Sequence, residues 1–263
     1  MKDYLEKFLL NGKVAFVTGG AGLIGSEISK ALAGVNAHTV LLDIDREKGA
    51  LLEKDISCAG YKANYEYFDI AKIEETGENI RKLIKKYNGI DIWINAAYPR
   101  TKDWGDFIED VDVNSWRKNI DMHLNGYFFC CQKAAEYMKE KKSGVIINFA
   151  SIYGIVGADL SIYDNTEMTM PAAYSAIKGG IITFTKYLAA CYGKYNIRVN
   201  SISPGGVCNK QPGVFVERYS KKNPLGRMAD KEDIIGGVIY LASDASGYVT
   251  GHNLVVDGGW TAI

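Results

Sequence analysis

Short apolar runs alternate with longer amphipathic stretches along the 263-residue chain, from near the start to near the end. The runs at 13–18, 39–43, 64–69, 90–95, 144–150, 197–203 and 253–256 predict strands, and the gaps predict helices, among them 23–33, 73–87, 114–140, 173–195 and 231–242. Such alternation is the mark of repeated βαβ units. It predicts an α/β fold, a single-domain, doubly wound parallel sheet (Rossmann-like) with helices on both faces and ligands at the carboxyl ends of the strands. No internal repeat, low-complexity tract or linker interrupts the pattern, so residues 1–263 are expected to form one domain, with 1–12 as an N-terminal arm. Two irregular stretches, 154–171 and 205–227, follow predicted strands. Both should overhang the ligand edge, where long loops serve as lids or binding loops.

Composition narrows the classes. With 47% hydrophobic and 24% charged residues the chain can bury one core. Lys plus Arg equals Asp plus Glu at 31 each, so no charge excess favours nucleic acid or an anionic membrane. No apolar run approaches the ~20 residues that span a bilayer, and the first residues lack a signal-peptide layout. The five cysteines form no C-x-x-C pair and the three histidines lie far apart, so no metal site is visible. Free thiols in a reducing cytoplasm are expected.

The first predicted strand runs directly into T-G-G-A-G-L-I-G at 18–25, ahead of an amphipathic helix. In that context Gly19 permits a tight turn, Gly22 lets the backbone approach a pyrophosphate, and Gly25 allows close helix–strand packing. The helix N-terminus, with Leu23 and Ile24 in its first turn, offers amide donors and a partial positive charge. Asp43 closes the second strand 18 residues after Gly25. A carboxylate there accepts both ribose hydroxyls and repels a 2′-phosphate, which favours NAD over NADP; Arg46, turned inward, would oppose that preference. Asp69, next to Ile70, either bonds the adenine amino group or caps a helix. Asn95, Ala96 and Ala97 end the fourth strand with small residues where a flat ring and a ribose need room.

Tyr174 and Lys178 stand four apart on a predicted helix and so share one face. An ammonium there lowers the pKa of a phenol, ordinarily ~10. The pair is a candidate general acid/base for a hydroxyl or carbonyl proton.

With these motifs the chain resembles the compact, single-domain branch of the short-chain dehydrogenases/reductases from residue 13 to residue 260. The tail strengthens the likeness: Pro224-Leu225-Gly226-Arg227, Leu241-Ala242-Ser243-Asp244, Thr250-Gly251 and Val256-Asp257-Gly258-Gly259. The resemblance implies that Ser151 polarises the substrate oxygen and Tyr174 exchanges its proton. It implies that Lys178 lowers the tyrosine pKa and holds the nicotinamide ribose, and that Asn95 supports the central strand. Pro204 and Gly205 would receive the nicotinamide, with Val207 on the carboxamide. It also implies a homotetramer formed through the helices at 114–140 and 173–195. There Phe128, Phe129, Cys130 and Cys131 are candidates for an interface or for the core.

Three departures from that pattern stand out. Leu23 replaces a glycine, as in the longer nucleotide-sugar epimerases and dehydratases, whose extra substrate domain a 263-residue chain cannot hold. His123 falls where the family has a fourth catalytic residue, an Asn whose backbone carbonyl serves a proton relay; His123 either keeps the relay and adds a titratable group or fills the interior. Ser151 precedes Tyr174 by 23 residues, about ten more than usual. The added length, rich in amides, hydroxyls and carboxylates, suits a polyhydroxylated ligand. This insertion, Ala96-Ala97-Tyr98-Pro99-Arg100 and His123-Leu124-Asn125-Gly126-Tyr127-Phe128 are similar to a narrower group. These are bacterial oxidoreductases of flagellin glycosylation, associated with legionaminic-acid-type sugars, and the likeness implies an amino-sugar or sugar-phosphate substrate. Arg100 and Lys102 either meet a sugar phosphate or stay solvated.

The expected activity is NAD(H)-dependent interconversion of a secondary alcohol and a ketone on a sugar-like small molecule. An NAD-retaining sugar epimerase or dehydratase, and a non-catalytic NAD-binding sensor or scaffold, are the alternatives.

Overall fold

A computed structural model describes residues 3–263. Seven strands, β1 (Val14–Thr18), β2 (His38–Asp43), β3 (Ala63–Tyr67), β4 (Ile92–Asn95), β5 (Gly144–Phe149), β6 (Ile197–Pro204) and β7 (Asn253–Val256), form one parallel sheet in the order β3-β2-β1-β4-β5-β6-β7. The strands predicted from sequence are all present, within a few residues at their ends. Thr18 on β1 pairs with Leu42 on one side and Asn95 on the other. The strand order reverses between β1 and β4, which opens a crevice at their carboxyl ends.

Successive residues of β1 face opposite layers. Phe16 joins a core with Trp93, Cys130 and Ile177, beneath α3 (Ile73–Tyr87), α5 (Gly126–Lys141) and α6 (Ala172–Tyr192). Ala15 and Val17 join Ile28, Ile94, Val238 and Leu241 beneath α1 (Leu23–Gly34) and α8 (Ile235–Ala242). β1, β2, β4 and β5 are covered on both faces, which is why they read as near-continuous apolar runs, whereas the edge strand β3 carries Asn64 and Glu66. The arm forms a short 3-10 turn at Leu5–Phe8 and is clipped down by Leu10, 2% exposed, whose amide donates to the Val35 carbonyl at 2.7 Å.

Three helical segments differ from the sequence pattern. α2 (Arg46–Cys58) fills a gap that the pattern left unnamed; it buries only Gly49, Leu52 and Ile56, too narrow a stripe to stand out. The helix expected over 114–140 is two. α4 (Val113–Ile120) and α5 are joined by a π turn at Asp121–Asn125, where the Gly126 amide reaches back to the Asp121 carbonyl. A Cβ on Gly126 would lie 2.9 Å from the Ile70 carbonyl, so the segment widens where it passes the β3 loop. The stretch 205–227, expected to be irregular, contains α7 (Gly213–Lys222), which buries Phe215 and Tyr219 one turn apart.

A buried polar chain ties the central strands to α6. Trp93 Nε1 donates to Asn95 Oδ1 (2.8 Å), Asn95 Nδ2 to Asn148 Oδ1 (2.9 Å), and Asn148 Nδ2 to Thr185 Oγ1 (3.0 Å). Thr185 then donates to the Ile181 carbonyl at 2.8 Å. Asn95, Asn148 and Thr185 are wholly buried, so a missing partner leaves a polar group dry. Asn148→Ala should lower the free energy of urea unfolding by about 2–4 kcal/mol; a loss below about 1 kcal/mol would mean the chain is not a structural tie.

Candidate active site

The glycine loop is shaped by close backbone approach. Gly19 has φ +66°, and a Cβ there would lie 2.6 Å from Ala97 Cα. A Cβ on Gly25 would lie 1.9 Å from the Gly19 carbonyl oxygen, so only glycine lets α1 sit on the turn. Gly22 precedes α1 with no side-chain cap, which leaves the first amides of the helix, at Leu23 and Ile24, free for an anion. Thr18 Oγ1 accepts from the Ala96 and Ala97 amides at 3.2 and 3.4 Å and joins the ends of β1 and β4 across the crevice.

Asp43 lies against this loop, its Oδ2 accepting from the Ala21 amide and its Oδ1 from the Asp45 amide, each at 3.0 Å. A carboxylate has about four acceptor positions, so two remain for hydroxyls. Arg46 does not turn inward; its guanidinium lies over the Tyr67 ring at 4.4 Å. Asp69 Oδ1 accepts from the Ala71 amide at 3.0 Å in a local turn, and Lys72, not Asp69, precedes α3. The Ile70 and Asn95 side chains point into the interior, leaving only their backbones to a ligand. Past β6, Gly205 packs against Asp257, the Gly206 amide donates to Tyr219 Oη at 2.6 Å, and Val207 pairs with Ala229. The loop beginning at Pro204 is thus tied to α7 and to the segment after β7. The cradle, its free amides and its acidic partner fit a dinucleotide.

The candidate proton-handling residues come from the end of β5, α6 and the π turn. Ser151, 5% exposed, follows β5 in extended backbone. The turn Ile152–Gly154 packs onto α6 so closely that a Cβ on Gly154 would lie 2.6 Å from the Lys178 carbonyl carbon. That contact sets Ser151 opposite Tyr174 and Lys178. Lys178, 4% exposed, donates through Nζ to the Phe149 carbonyl at 2.7 Å and lies 3.3 Å from His123 Nε2 and 5.5 Å from the Tyr174 ring centre. Burial lowers the Lys178 pKa to about 7. Burial also raises the Tyr174 phenol, with the Ser151 hydroxyl acting in the opposite sense. The expected lowering of the phenol by its lysine is therefore not the dominant effect in the folded chain. His123 is held well below its ordinary value by burial and then by Lys178.

Two aromatic side chains lie at the site without a role assigned from sequence. Tyr98 and Trp104 stand edge-on to Tyr174 at 5.6 and 6.2 Å, and Trp104 Nε1 donates to Tyr98 Oη at 2.7 Å. Their signal was the density of aromatic residues just after β4, on the ligand edge. Arg100 lies over Tyr98 at 5.0 Å, beside the site, while Lys102 is exposed. The insertion at 154–171 packs on α7: Ile162 and Tyr163 meet Phe215, Lys222 pairs with Asp159, and Arg218 donates to the Asp164 carbonyl. A groove of about 550 Å³ along α4 and the π turn contains none of the candidate site residues. Among the described residues no group of three or more His, Cys, Asp or Glu is placed to hold a metal, and no helix is long and apolar enough to cross a membrane.

The family profile described as enoyl-(acyl carrier protein) reductase matches residues 19–261. The chain is a short-chain dehydrogenase/reductase. Membership makes it an oxidoreductase of the compact branch. It is similar to the post-translational flagellin modification protein A of Campylobacter coli, 33% identical over 96% of this chain and 99% of that one. A gluconate 5-dehydrogenase from Burkholderia cenocepacia, solved with NADP and tartrate, superposes with a TM-score of 0.90 at 28% identity over 99% of this chain and 100% of that one. A short-chain dehydrogenase from Leptospira borgpetersenii, solved with bound NAD+, gives 0.83 at 36% identity over 99% and 96%.

A base whose pKa falls on folding binds fewer protons folded than unfolded between its two values, so stability rises with pH across that window. For Lys178 the window opens at about 7 and closes near its ordinary 10.5. Thermal unfolding of the ligand-free protein should show a rise in stability from about pH 7 to about pH 9 that Lys178→Met removes. An equal rise in the variant would place its source elsewhere.

Proposed function

We propose that this short-chain dehydrogenase/reductase uses NAD(H) to interconvert a secondary alcohol and a ketone on a sugar, amino sugar or sugar phosphate, with Tyr174 as general acid/base. The observation that carries this reading is the gathering of Ser151, Tyr174 and Lys178 at the same sheet edge as the glycine loop and Asp43. The glycine loop, Asp43, the Ala96–Ala97 backbone and the loop from Pro204 to Val207 would hold the dinucleotide, and its nicotinamide supplies or takes up hydride when bound.

The protein's part is to move a proton. In the oxidative direction Tyr174, as phenolate, takes the hydroxyl proton while Ser151 hydrogen-bonds the same oxygen. Burial disfavours charge on Tyr174 alone and on Lys178 alone, yet each charge favours the other at this separation. The two therefore titrate as a pair, and the phenolate is populated together with the ammonium. The substrate enters beneath Tyr98 and Trp104, whose apolar faces suit the C–H faces of a sugar ring, and beneath the insertion held on α7. The polar composition of that insertion and the gluconate-oxidising relative support a polyhydroxylated substrate. Assembly as a tetramer would cover the exposed aromatic side chains of α5 and α6, Phe128 and Tyr187.

Solved relatives hold NAD+ in one case and NADP in the other, so the choice rests on Asp43. Asp43→Ser should cut kcat/KM with NAD about tenfold and raise activity with NADP; wild-type protein that uses both equally would overturn the NAD assignment. Across a panel of sugars, amino sugars and their phosphates, NADH formation should fall by at least ~10²–10⁴ in Tyr174→Phe, with NAD affinity retained. Near-normal turnover would remove Tyr174 from its role.

A further inference from the structure

His123 is wholly buried, and its position is set by the π turn, a rare geometry that recurs at functional sites. One turn earlier, Asn119 Oδ1 accepts from the Thr101 amide at 3.0 Å, so the same side of the segment holds the β4 loop and meets the lysine. As an ammonium Lys178 carries three donors and no acceptor. One goes to the Phe149 carbonyl at 2.7 Å, and among the described residues the other hydrogen-bond partner is His123 Nε2 at 3.3 Å. While Lys178 is an ammonium, Nε2 therefore accepts, which leaves the ring proton on Nδ1, a buried atom with no hydrogen-bond partner among the described residues.

The titratable groups packed against the imidazole are Lys178 on α6, Tyr98 on the β4 loop, 5.6 Å away, and Tyr127 on α5, 5.1 Å away. None is a carboxylate, and a second positive charge beside Lys178 would be repelled. His123 is thus suited to stay a neutral acceptor. Without it the four-carbon stem of Lys178 would be fixed at its end by one carbonyl alone.

We propose that His123 is a positioning residue: with the Phe149 carbonyl it takes two of the three Lys178 donors, so that the remaining one faces Tyr174 and the ligand. The proposal rests on the reading of Tyr174 and Lys178 as the proton-transfer pair, but its first test does not.

Ring-nitrogen NMR of ¹⁵N-histidine-labelled, ligand-free protein reads the tautomer directly. With three histidines in the chain, His38→Gln and His252→Gln complete the assignment. His123 should be the neutral Nδ1–H tautomer, remain neutral down to about pH 5, and change its Nε2 shift in Lys178→Met. An Nε2–H tautomer, or titration at the ordinary histidine value, overturns the proposal. The second test is the pH profile of kcat/KM for alcohol oxidation. The side-chain oxygen of Gln approximates the place of Nε2, so His123→Gln should stay within about threefold of wild type with the same acid limb. His123→Leu should lose about tenfold or more, with the acid limb moved up by about one pH unit, because a drifting ammonium stabilises the phenolate less. Equal losses in both variants with unmoved limbs indicate packing only and overturn the proposal. If His123→Leu fails to fold, the wild-type tautomer decides. Failure of the catalytic reading itself appears separately, as turnover in Tyr174→Phe.

Discussion

A lysine buried to 4% exposure with no carboxylate beside it is the constraint on which this site turns. Most buried lysines are paired with an acid, and an acid here would hold the proton permanently on Lys178. Lys178 instead meets a backbone carbonyl and an imidazole, dipoles that orient an ammonium without neutralising it. Its pKa falls to about 7, where the charge can be present or absent at modest cost. Tyr174 is also disfavoured as an ion by burial, and Lys178 Nζ lies 5.5 Å from its ring centre. An ammonium at that distance would favour a phenolate most strongly where the surroundings are dry.

The dryness and the geometry have a common source in close backbone contacts. Gly154 lets the turn after β5 rest on α6 at Lys178, Gly25 lets α1 rest on the glycine loop, and Gly126 lets the π turn pass the β3 loop. Each contact removes the space a side chain or a water would occupy. The chain Trp93–Asn95–Asn148–Thr185 then fixes α6 against β4 and β5 from the interior side. On the outer side Tyr98, Trp104 and the insertion on α7 enclose Tyr174. The scaffold is that of the family, and the enclosure is assembled from the loop after β4 and the segment between β5 and α6. A specific substrate would be read by that enclosure.

What could be read in the amino-acid sequence followed from short-range rules. A parallel strand buried on both faces is mostly apolar, so the central strands were legible; the glycines at 19, 22 and 25 and the Tyr174–Lys178 spacing were legible because their geometry lies within one turn or one helix. The second and seventh helices were not, since α2 and α7 each bury only two side chains. Nor was the π turn, because its register depends on the Ile70 carbonyl, more than fifty residues away in the chain.

The sequence by itself determined the layered α/β architecture and marked the glycine loop, Asp43, Tyr174 and Lys178 as candidates, with Ser151 named by the family resemblance. Only the tertiary structure decided how these groups behave. It placed His123 on Lys178 and Trp104 on Tyr174, turned Arg46 away from Asp43, and spent the side chain of Asn95 on the interior. The direction of the Tyr174 shift also belongs to the folded state. Residue spacing reports which charges are near, whereas desolvation is a property of everything packed around a group, and no local pattern encodes it.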